Sequence, residues 1–212
     1  MYDLAYHKES NEKVVRNFID QHPFALLTGC NADGQPVATQ LPVFLDERNG
    51  RTFFSGHLMK QTDHHLAFQE NDQVLVVFTG NHSYVSGTWY SDPHTPSTWN
   101  YMSVHVRGTI RLLDGGAIED VLHKTSLHFE HGKRDSPTVF DNLPDQWKRM
   151  AHKALAAFEI DIEDIDTVFK LSQDKDAESY RRIIQELRSQ GENGRAIAIE
   201  MEKRFTDVFP QE

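Results

Sequence analysis

The spacing of hydrophobic positions changes along the chain from a helical period to a strand period. Val14, Phe18 and Ile19 recur at intervals that place them on one face of a helix. This spacing predicts a helix over residues 10–22, which ends before Pro23. A short N-terminal helix is therefore expected to precede the first strand.

Six segments before residue 115 have the spacing or composition of β-strands. Asp33-Gly34 and Asn49-Gly50 supply the positive φ angles of tight hairpins, so the first three strands form an antiparallel meander. We expect strands at residues 24–30, 36–45, from 52 onward, 74–79, 82–87 and 100–113. A short helix anchored by Leu66 and Phe68 is expected over Lys60–Glu70. Six strands with few long connections favour a barrel, because closure removes exposed sheet edges.

The pattern becomes mostly helical after Gly115. Helices are expected over residues 118–131, 143–156, 177–190 and 194–205, with strand patterns at 155–162 and 167–171. The acidic run DIEDID, residues 161–166, is typical of a turn and separates these two strand patterns. The chain is therefore predicted to have an α+β, β-rich fold.

The segment from Tyr84 to Gly108 is rich in aromatic residues. It holds Trp89, Trp99, three tyrosines and two histidines around SDPHTPS, whose two prolines cannot continue a strand or a helix. The aromatic side chains either pack strand ends into the core or form a platform for a planar ligand or for a partner subunit's aromatic face. The segment alone leaves these alternatives open.

Composition and charge narrow the class of protein. The 212 residues suit one domain, or one domain with a small appendage. The single cysteine, Cys30, excludes an internal disulfide framework. Because no apolar stretch reaches about 18 residues, we expect a soluble cytoplasmic protein with no membrane segment. The formal net charge of -10 opposes attraction to nucleic-acid phosphates, so DNA is a partner that the charge does not support.

Familiar motifs for metal or nucleophilic chemistry are missing from the sequence. His64 and His65 are adjacent and would point about 100° apart on a helix. No carboxylate or cysteine completes a ligand set with His128 and His131. Neither GxSxG nor a phosphate-binding loop of the GxGxxG or GxxxxGK type occurs. We expect no metal site, and the sequence identifies no catalytic residue.

One group of residues has the chemistry of a dianion site, where the third strand runs into a helix N-terminus. Lys60 supplies a positive charge, Ser55 and Thr62 supply hydroxyl donors, and the helix terminus supplies free N–H groups. His57 lies on the same segment, and the polar stretch at residues 39–42 lies on the second strand. The alternative is ordinary helix capping by Thr62 beside a solvated lysine.

Five motifs carry a family resemblance: ATQLP, FFSGH, VLVVFTGNHSYVSGTWY, TPSTWNYMSVHVRG and FKLSQ. They resemble the PaiB family of FMN-binding split-barrel proteins, described as negative transcriptional regulators, over roughly residues 1–205. The resemblance implies a six-stranded split β-barrel with flanking helices, usually a homodimer with FMN at the subunit interface. We expect the FMN-binding domain over residues 1–175, a C-terminal helical extension over 176–205 and a flexible tail over 206–212.

The resemblance also implies which residues bind the cofactor. ATQLP and SGHLMKQT would flank the flavin phosphate and ribityl chain, and TWNYMSVHV would approach the isoalloxazine from the neighbouring subunit. Trp89, Trp99 and Tyr101 could form the flat wall that a tricyclic ring needs. The implied FMN-binding residues are Thr39, Gln40, Leu41, Ser55, Gly56, His57, Lys60, Gln61, Thr62, Trp89, Trp99, Asn100, Tyr101 and His105.

The role of the flavin stays open at this point. The family resemblance favours a transcriptional regulator, acting through a partner, a local basic face or a metabolite. Alternatively, the flavin supplies the chemistry of an oxidoreductase that acts on a small molecule or a nicotinamide cofactor. His57 and His105 are the titrating candidates for that chemistry. A haem-binding or haem-degrading relative and a flavin-storage dimer are further alternatives.

Overall fold

Six strands close into one barrel in the described part of the chain, residues 1–92, 94–113 and 115–210 of a computed structural model. Their order around the barrel is β1-β2-β3-β6-β5-β4. The bounds are β1 (Phe24–Cys30), β2 (Pro36–Arg48), β3 (Arg51–Met59), β4 (Gln73–Val85), β5 (Thr98–Leu113) and β6 (Leu155–Lys170). The predicted α+β fold on a six-stranded split barrel is confirmed.

Helices occupy most of the remaining described residues. They are α1 (Glu12–Gln21), α2 (Asp63–Glu70), α3 (Ala117–Phe129), α4 (Asp145–Ala154), α5 (Ala177–Leu187), α6 (Gly191–Lys203) and α7 (Phe205–Val208), with 3-10 turns at Ala5–His7, Gly87–Trp89 and Phe140–Asn142. Part of the predicted tail, residues 211–212, lies outside the described residues, as does Pro93 of the aromatic segment. The ring of Phe209 lies 5.3 Å from that of Tyr180. No helix of the described residues is both long enough and apolar enough to cross a membrane.

The meander predicted from the two turn motifs is present. β1 pairs antiparallel with β2, and β2 pairs antiparallel with β3 from Arg48–Arg51 to Val43–Gly56. The β2–β3 ladder ends there because the next residue, Pro42, has no backbone N–H to donate. Residues 39–42 of β2 and 57–59 of β3 therefore lie beyond the last β2–β3 pair.

Contacts divide the chain into two compact units. One unit comprises residues 1–18, 79–104 and 166–212, and it contains α5, α6 and α7. The other comprises residues 19–78 and 105–165, and it contains β1 to β3 and α2 to α4. Inside the second unit, Leu27, Val43 and Phe54 are buried in the barrel, and the ring of Phe54 lies 5.3 Å from that of Phe78. On the outer face, α3 packs Ile118 against Ala157 of β6.

Two strand predictions were wrong in their bounds. Residues 74–79 and 82–87 were expected as separate strands, but β4 runs unbroken over 73–85. Its buried positions change from even-numbered to odd-numbered residues between Gly80 and Ser83, so the strand accommodates the local irregularity that suggested a break. The count of six strands is thus reached differently, because β6 is the sixth strand of the barrel.

The acidic run DIEDID is not a turn, because β6 continues through it from Leu155 to Lys170. Two of its carboxylates pair with side chains of the neighbouring strand β5. Arg107 Nη1 lies 2.9 Å from Asp164 Oδ2, and the Thr109 hydroxyl donates to Glu163. Partners distant in sequence therefore make a strand out of a segment whose local composition favours a turn.

Helix α2 is shorter than predicted and turns a different face inward. It begins at Asp63, after Thr62, and not at Lys60. Phe68 is buried as expected, but Leu66 is exposed, and Ala67 and His65 are buried in its place. The buried face predicted for α2 was wrong because so short a helix has too few apolar residues to identify one face.

Candidate functional site

The corner between β3 and α2 holds the most polar part of the predicted site. Thr62 is the N-cap of α2: its hydroxyl accepts the His65 N–H at 3.3 Å and donates to the Met59 carbonyl at 2.8 Å. The capping alternative for Thr62 is therefore realised. Gln61 adopts a left-handed conformation with φ 64°, and its N–H donates to His65 Nδ1 at 3.4 Å. A non-glycine residue in this region marks a tightly constrained corner.

Lys60 is held by hydrogen bonds and still has N–H donors left. Its Nζ donates to the His152 carbonyl at 3.0 Å in the last turn of α4, and its backbone N–H donates to the Ala154 carbonyl at 2.8 Å. A cation at this position complements the negative end of the helix. An ammonium carries three N–H donors, so two remain for a ligand.

Lys60 and Gln61 line a cleft of about 520 Å³ together with His65. His65 is only 5% exposed, and burial together with the nearby Lys60 ammonium lowers its pKa. The Gln61 N–H already occupies Nδ1, so the neutral ring carries its proton on Nε2. Sequence reasoning considered His65 only as half of a metal pair, because its place in the cleft depends on where α2 begins.

The β3 residues of the predicted site differ in their availability to a ligand. His57 has a buried Nδ1 with no hydrogen-bond partner among the described residues, and burial lowers its pKa. In contrast, the Ser55 hydroxyl donates to Asp46, which also accepts from Lys124. A Cβ at Gly56 would lie 2.5 Å from Phe158 Cζ, so packing alone explains this glycine.

The predicted β2 residues lie where the β2–β3 ladder has ended. Thr39 is half-buried opposite Leu27, and Gln40 is exposed on the other face. Leu41 is buried in the barrel, where it contributes apolar packing. His105 of β5 is half-buried. Of the predicted site residues in this unit, Lys60 and Gln61 are the two that line the cleft.

The aromatic residues of the predicted site belong to the other unit. Trp99 is 52% exposed, and its ring lies 6.0 Å from each of the rings of His82 and Tyr84. We call His82, Tyr84 and Trp99 the aromatic face. Tyr101 is half-buried, and burial with the nearby Tyr2 raises its pKa. Trp89 is half-buried in its 3-10 turn.

The Asn100 side chain is buried and makes its hydrogen bonds within its own unit. Its side chain is 0% exposed, accepts from the Ser172 hydroxyl at 3.0 Å and donates to Met201 Sδ at 3.5 Å. Lys170, which the sequence did not single out, donates to the Trp99 carbonyl at 3.0 Å, and burial lowers its pKa. Among residues 1–92, 94–113 and 115–210, no group of three His, Cys, Asp or Glu side chains is arranged to hold a metal ion.

The sequence and the fold both have relatives among known proteins. Residues 1–164 match the family described as "Putative FMN-binding domain". The chain is 30% identical over 206 residues to the protease synthase and sporulation protein PAI 2 of Bacillus subtilis (strain 168), with 97% of this chain and 98% of that protein covered.

Two solved structures share the fold at low sequence identity. The conserved hypothetical protein Rv2991 from Mycobacterium tuberculosis matches with a TM-score of 0.58 and 12% identity, over 80% of this chain and 91% of that chain. The FAD and heme binding protein from Mycobacterium smegmatis matches with a TM-score of 0.55 and 17% identity, over 77% and 73% of the respective chains. The sequence matches confirm the resemblance to PaiB, and the chain belongs to the family of FMN-binding domains.

Proposed function

We propose that this protein is a cytoplasmic homodimer that binds FMN at its subunit interface and acts as a PaiB-like negative regulator of transcription. The observation that supports FMN most directly is the uncommitted donor capacity at the end of β3. There His57 keeps a buried Nδ1 without a partner, and Lys60 keeps two of its three N–H donors. A phosphate dianion is the flavin group that such donors suit.

The fit to FMN is good for part of the predicted residue set. Lys60, Gln61 and His57 would hold the phosphate end, with Thr39 and Gln40 beside the ribityl chain. Ser55, Thr62 and Asn100 spend their hydrogen bonds within the protein, and Leu41 and Gly56 serve packing. When bound, the flavin would supply redox chemistry or a ligand-dependent change of the dimer.

The aromatic face supports a dimeric site. An indole that is half exposed on a monomer gains apolar contact when a planar ring or a second subunit covers it. We propose that the aromatic face of one subunit covers the isoalloxazine held by its partner. His82, Tyr84 and Trp99 would then be buried only in the dimer.

The first experiment measures FMN binding by fluorescence quenching, with riboflavin as the ligand that lacks the phosphate. Replacing Lys60 with methionine should weaken FMN binding about 10- to 100-fold, since a charge-assisted hydrogen bond contributes about 1.5–3 kcal/mol. Riboflavin binding should change by less than about threefold. Equal losses for the two ligands would show that Lys60 does not recognise the phosphate.

The second experiment tests the aromatic face with a matched tryptophan. Trp99 is 52% exposed and Trp147 of α4 is 58% exposed, so either can be replaced by alanine with little loss of core packing. Trp99→Ala should reduce both FMN affinity and dimer formation in sedimentation velocity runs, whereas Trp147→Ala should alter neither. FMN binding that survives Trp99→Ala unchanged would exclude the aromatic face from the site.

The regulatory role rests on the relationship to PaiB, and the charge makes a specific demand of it. A protein of net charge -10 is repelled by DNA overall, so direct repression would need a local basic surface or a basic partner. Retardation of promoter DNA by the FMN-loaded dimer, with a strong dependence on salt, would support direct binding. Regulation in the cell without retardation by the purified dimer would instead indicate a partner.

An FMN-dependent oxidoreductase is the second candidate, and His57 is the observation that favours it. A neutral imidazole with one uncommitted nitrogen can donate or accept a proton beside a flavin. NAD(P)H oxidation by the FMN-loaded protein that drops at least tenfold in His57→Gln, with FMN still bound, would support this role. The absorption spectrum of the loaded protein separates flavin from haem, because haem gives a Soret band.

A further inference from the structure

The cleft beside the β3–α2 corner is larger than a phosphate group needs. Its volume of about 520 Å³ falls in the range of small-molecule pockets, which is about 300–1,000 Å³. Its walls come from the β3–α2 corner, α2, the last residues of β5 and the start of β6. The apolar lining residues are Phe68, Ile110, Leu112, Leu113 and Ala156, and the polar ones are Lys60, Gln61, His65, Gln69 and Asp72.

The polar end of the cleft is built to hold an anion. His65 is 5% exposed, and its Nδ1 accepts the Gln61 N–H, so the neutral ring carries its proton on Nε2. The Lys60 ammonium lines the same cleft with two donors left over. The neutral His65 ring and the full positive charge of Lys60 therefore line one small volume.

The remaining lining is apolar apart from two amides and one carboxylate. Asp72 is exposed, and its carboxylate accepts from the Gln73 side chain at 3.3 Å. Ile110 and Phe68 are nearly fully buried, and Leu112 and Leu113 are half-buried. An alkyl or aryl group placed against these side chains would be removed from contact with water.

We propose that this cleft is a second ligand site, which binds a small organic carboxylate through His65 and Lys60 and holds its hydrocarbon body on β5. The proposal does not depend on FMN. Lys60 can serve either anion, so His65 is the position that distinguishes the two sites.

The test is isothermal titration of the full-length protein, as purified, with butyrate, hexanoate and octanoate. Affinity should rise by about fourfold per methylene as the chain lengthens, because each buried CH₂ adds to the favourable free energy of transfer from water. 1-Hexanol and hexylammonium, which match hexanoate in length, should bind at least tenfold more weakly. Hexylammonium binding as tightly as hexanoate would show that Asp72 dominates the cleft and would overturn the proposal.

Two pairs of matched variants complete the test. Gln69→Glu adds a negative charge to the cleft and should weaken hexanoate at least fivefold, whereas Gln185→Glu, at an exposed position of α5 outside the cleft lining, should change it less than twofold. His65→Gln should also weaken hexanoate, with His64→Gln as its neighbouring control. FMN affinity should stay within about twofold in His65→Gln, His64→Gln and Gln185→Glu, whereas Gln69→Glu, whose charge shares the cleft with Lys60, should weaken FMN as well. Absence of hexanoate binding at 10 mM ligand (about the weakest affinity worth detecting), or equal effects of Gln69→Glu and Gln185→Glu, would refute the site.

Discussion

Replacing Gly56 with alanine separates a packing role for this glycine from a ligand-binding role. Gly56 lies in the SGH motif implied to flank the flavin phosphate, yet an added Cβ would meet protein atoms. It would lie 2.5 Å from Phe158 Cζ and 2.8 Å from the Pro42 carbonyl oxygen, whereas ordinary contacts begin at 3.4 Å. The Phe158 ring and the β2 backbone would both have to move.

The magnitude follows from which of these atoms can yield. Overpacking a core costs about 1–3 kcal/mol, and the Pro42 oxygen belongs to the backbone and cannot rotate away. We therefore expect Gly56→Ala to lower the free energy of unfolding by about 3 kcal/mol in urea titrations. Phe158→Leu should relieve one of the two contacts, so a double-mutant cycle should give a coupling of about 1 kcal/mol.

A control and a clear refutation are available. Gly50 has φ 76° with nothing within 4 Å of its Cβ position, so Gly50→Ala tests backbone strain alone and should cost only about 1 kcal/mol. If Gly56→Ala keeps its stability within about 0.5 kcal/mol of wild type and loses FMN binding, the packing argument fails. That outcome would mean the glycine admits a ligand. We expect the reverse: lower stability, with FMN affinity of the folded protein within about threefold.

Three further outcomes follow from the structure. Burial lowers the pKa of His57 below its usual value of 6.5, so as the pH falls the unfolded chain is protonated at this residue before the folded protein is. Stability should be full well above pH 6.5 and fall below it by up to about 1.4 kcal/mol per pH unit, and His57→Gln should flatten that slope in urea titrations between pH 7.5 and 5.5. Asp176 caps α5 by accepting the Ser179 N–H at 2.9 Å, and hydrogen bonds from Ser179 lower the pKa of Asp176 to about 2. Asp176→Ala should lower the free energy of unfolding by about 1 kcal/mol at pH 7, as measured by thermal denaturation. This difference should disappear below about pH 2, where wild-type Asp176 is protonated. Asn100→Ala should cost about 1–3 kcal/mol by thermal or urea denaturation because the buried Ser172 hydroxyl would lose its acceptor, and no loss would show that this contact contributes nothing net.

The fold was largely predictable because its first half is specified locally. Asp33-Gly34 and Asn49-Gly50 mark the two hairpins, and alternation within each strand identifies the buried side. β6 was not predictable in the same way. Its acidic run lies in a strand where Arg107 and Thr109 of the neighbouring strand pair with its carboxylates, and such pairing leaves no local trace in the sequence.

The candidate site was predicted at the level of segments and not of side chains. Thr39 and Lys60 both lie beyond the last β2–β3 pair, and their role in FMN binding stays a prediction. His65 was missed because its burial depends on the residue at which α2 begins. The sequence pattern predicted that start at Lys60, whereas the helix begins after Thr62. Lys170 was missed because its carbonyl partner, Trp99, is distant in sequence.

Availability to a ligand is therefore decided by hydrogen bonds already made, and motif position alone does not reveal them. Ser55 and Asn100 match the family pattern, yet each spends its polar group on a neighbour within the protein. Lys60 keeps N–H donors that the fold leaves unused, and His57 keeps a buried ring nitrogen without a partner among the described residues. A buried donor without a partner costs about 1–3 kcal/mol, so a chain that retains one is stabilised when a ligand accepts that hydrogen bond. In the proposed site, recognition of the flavin phosphate would therefore depend on a few donors that are costly to leave unpaired, and one ammonium would supply most of the charge.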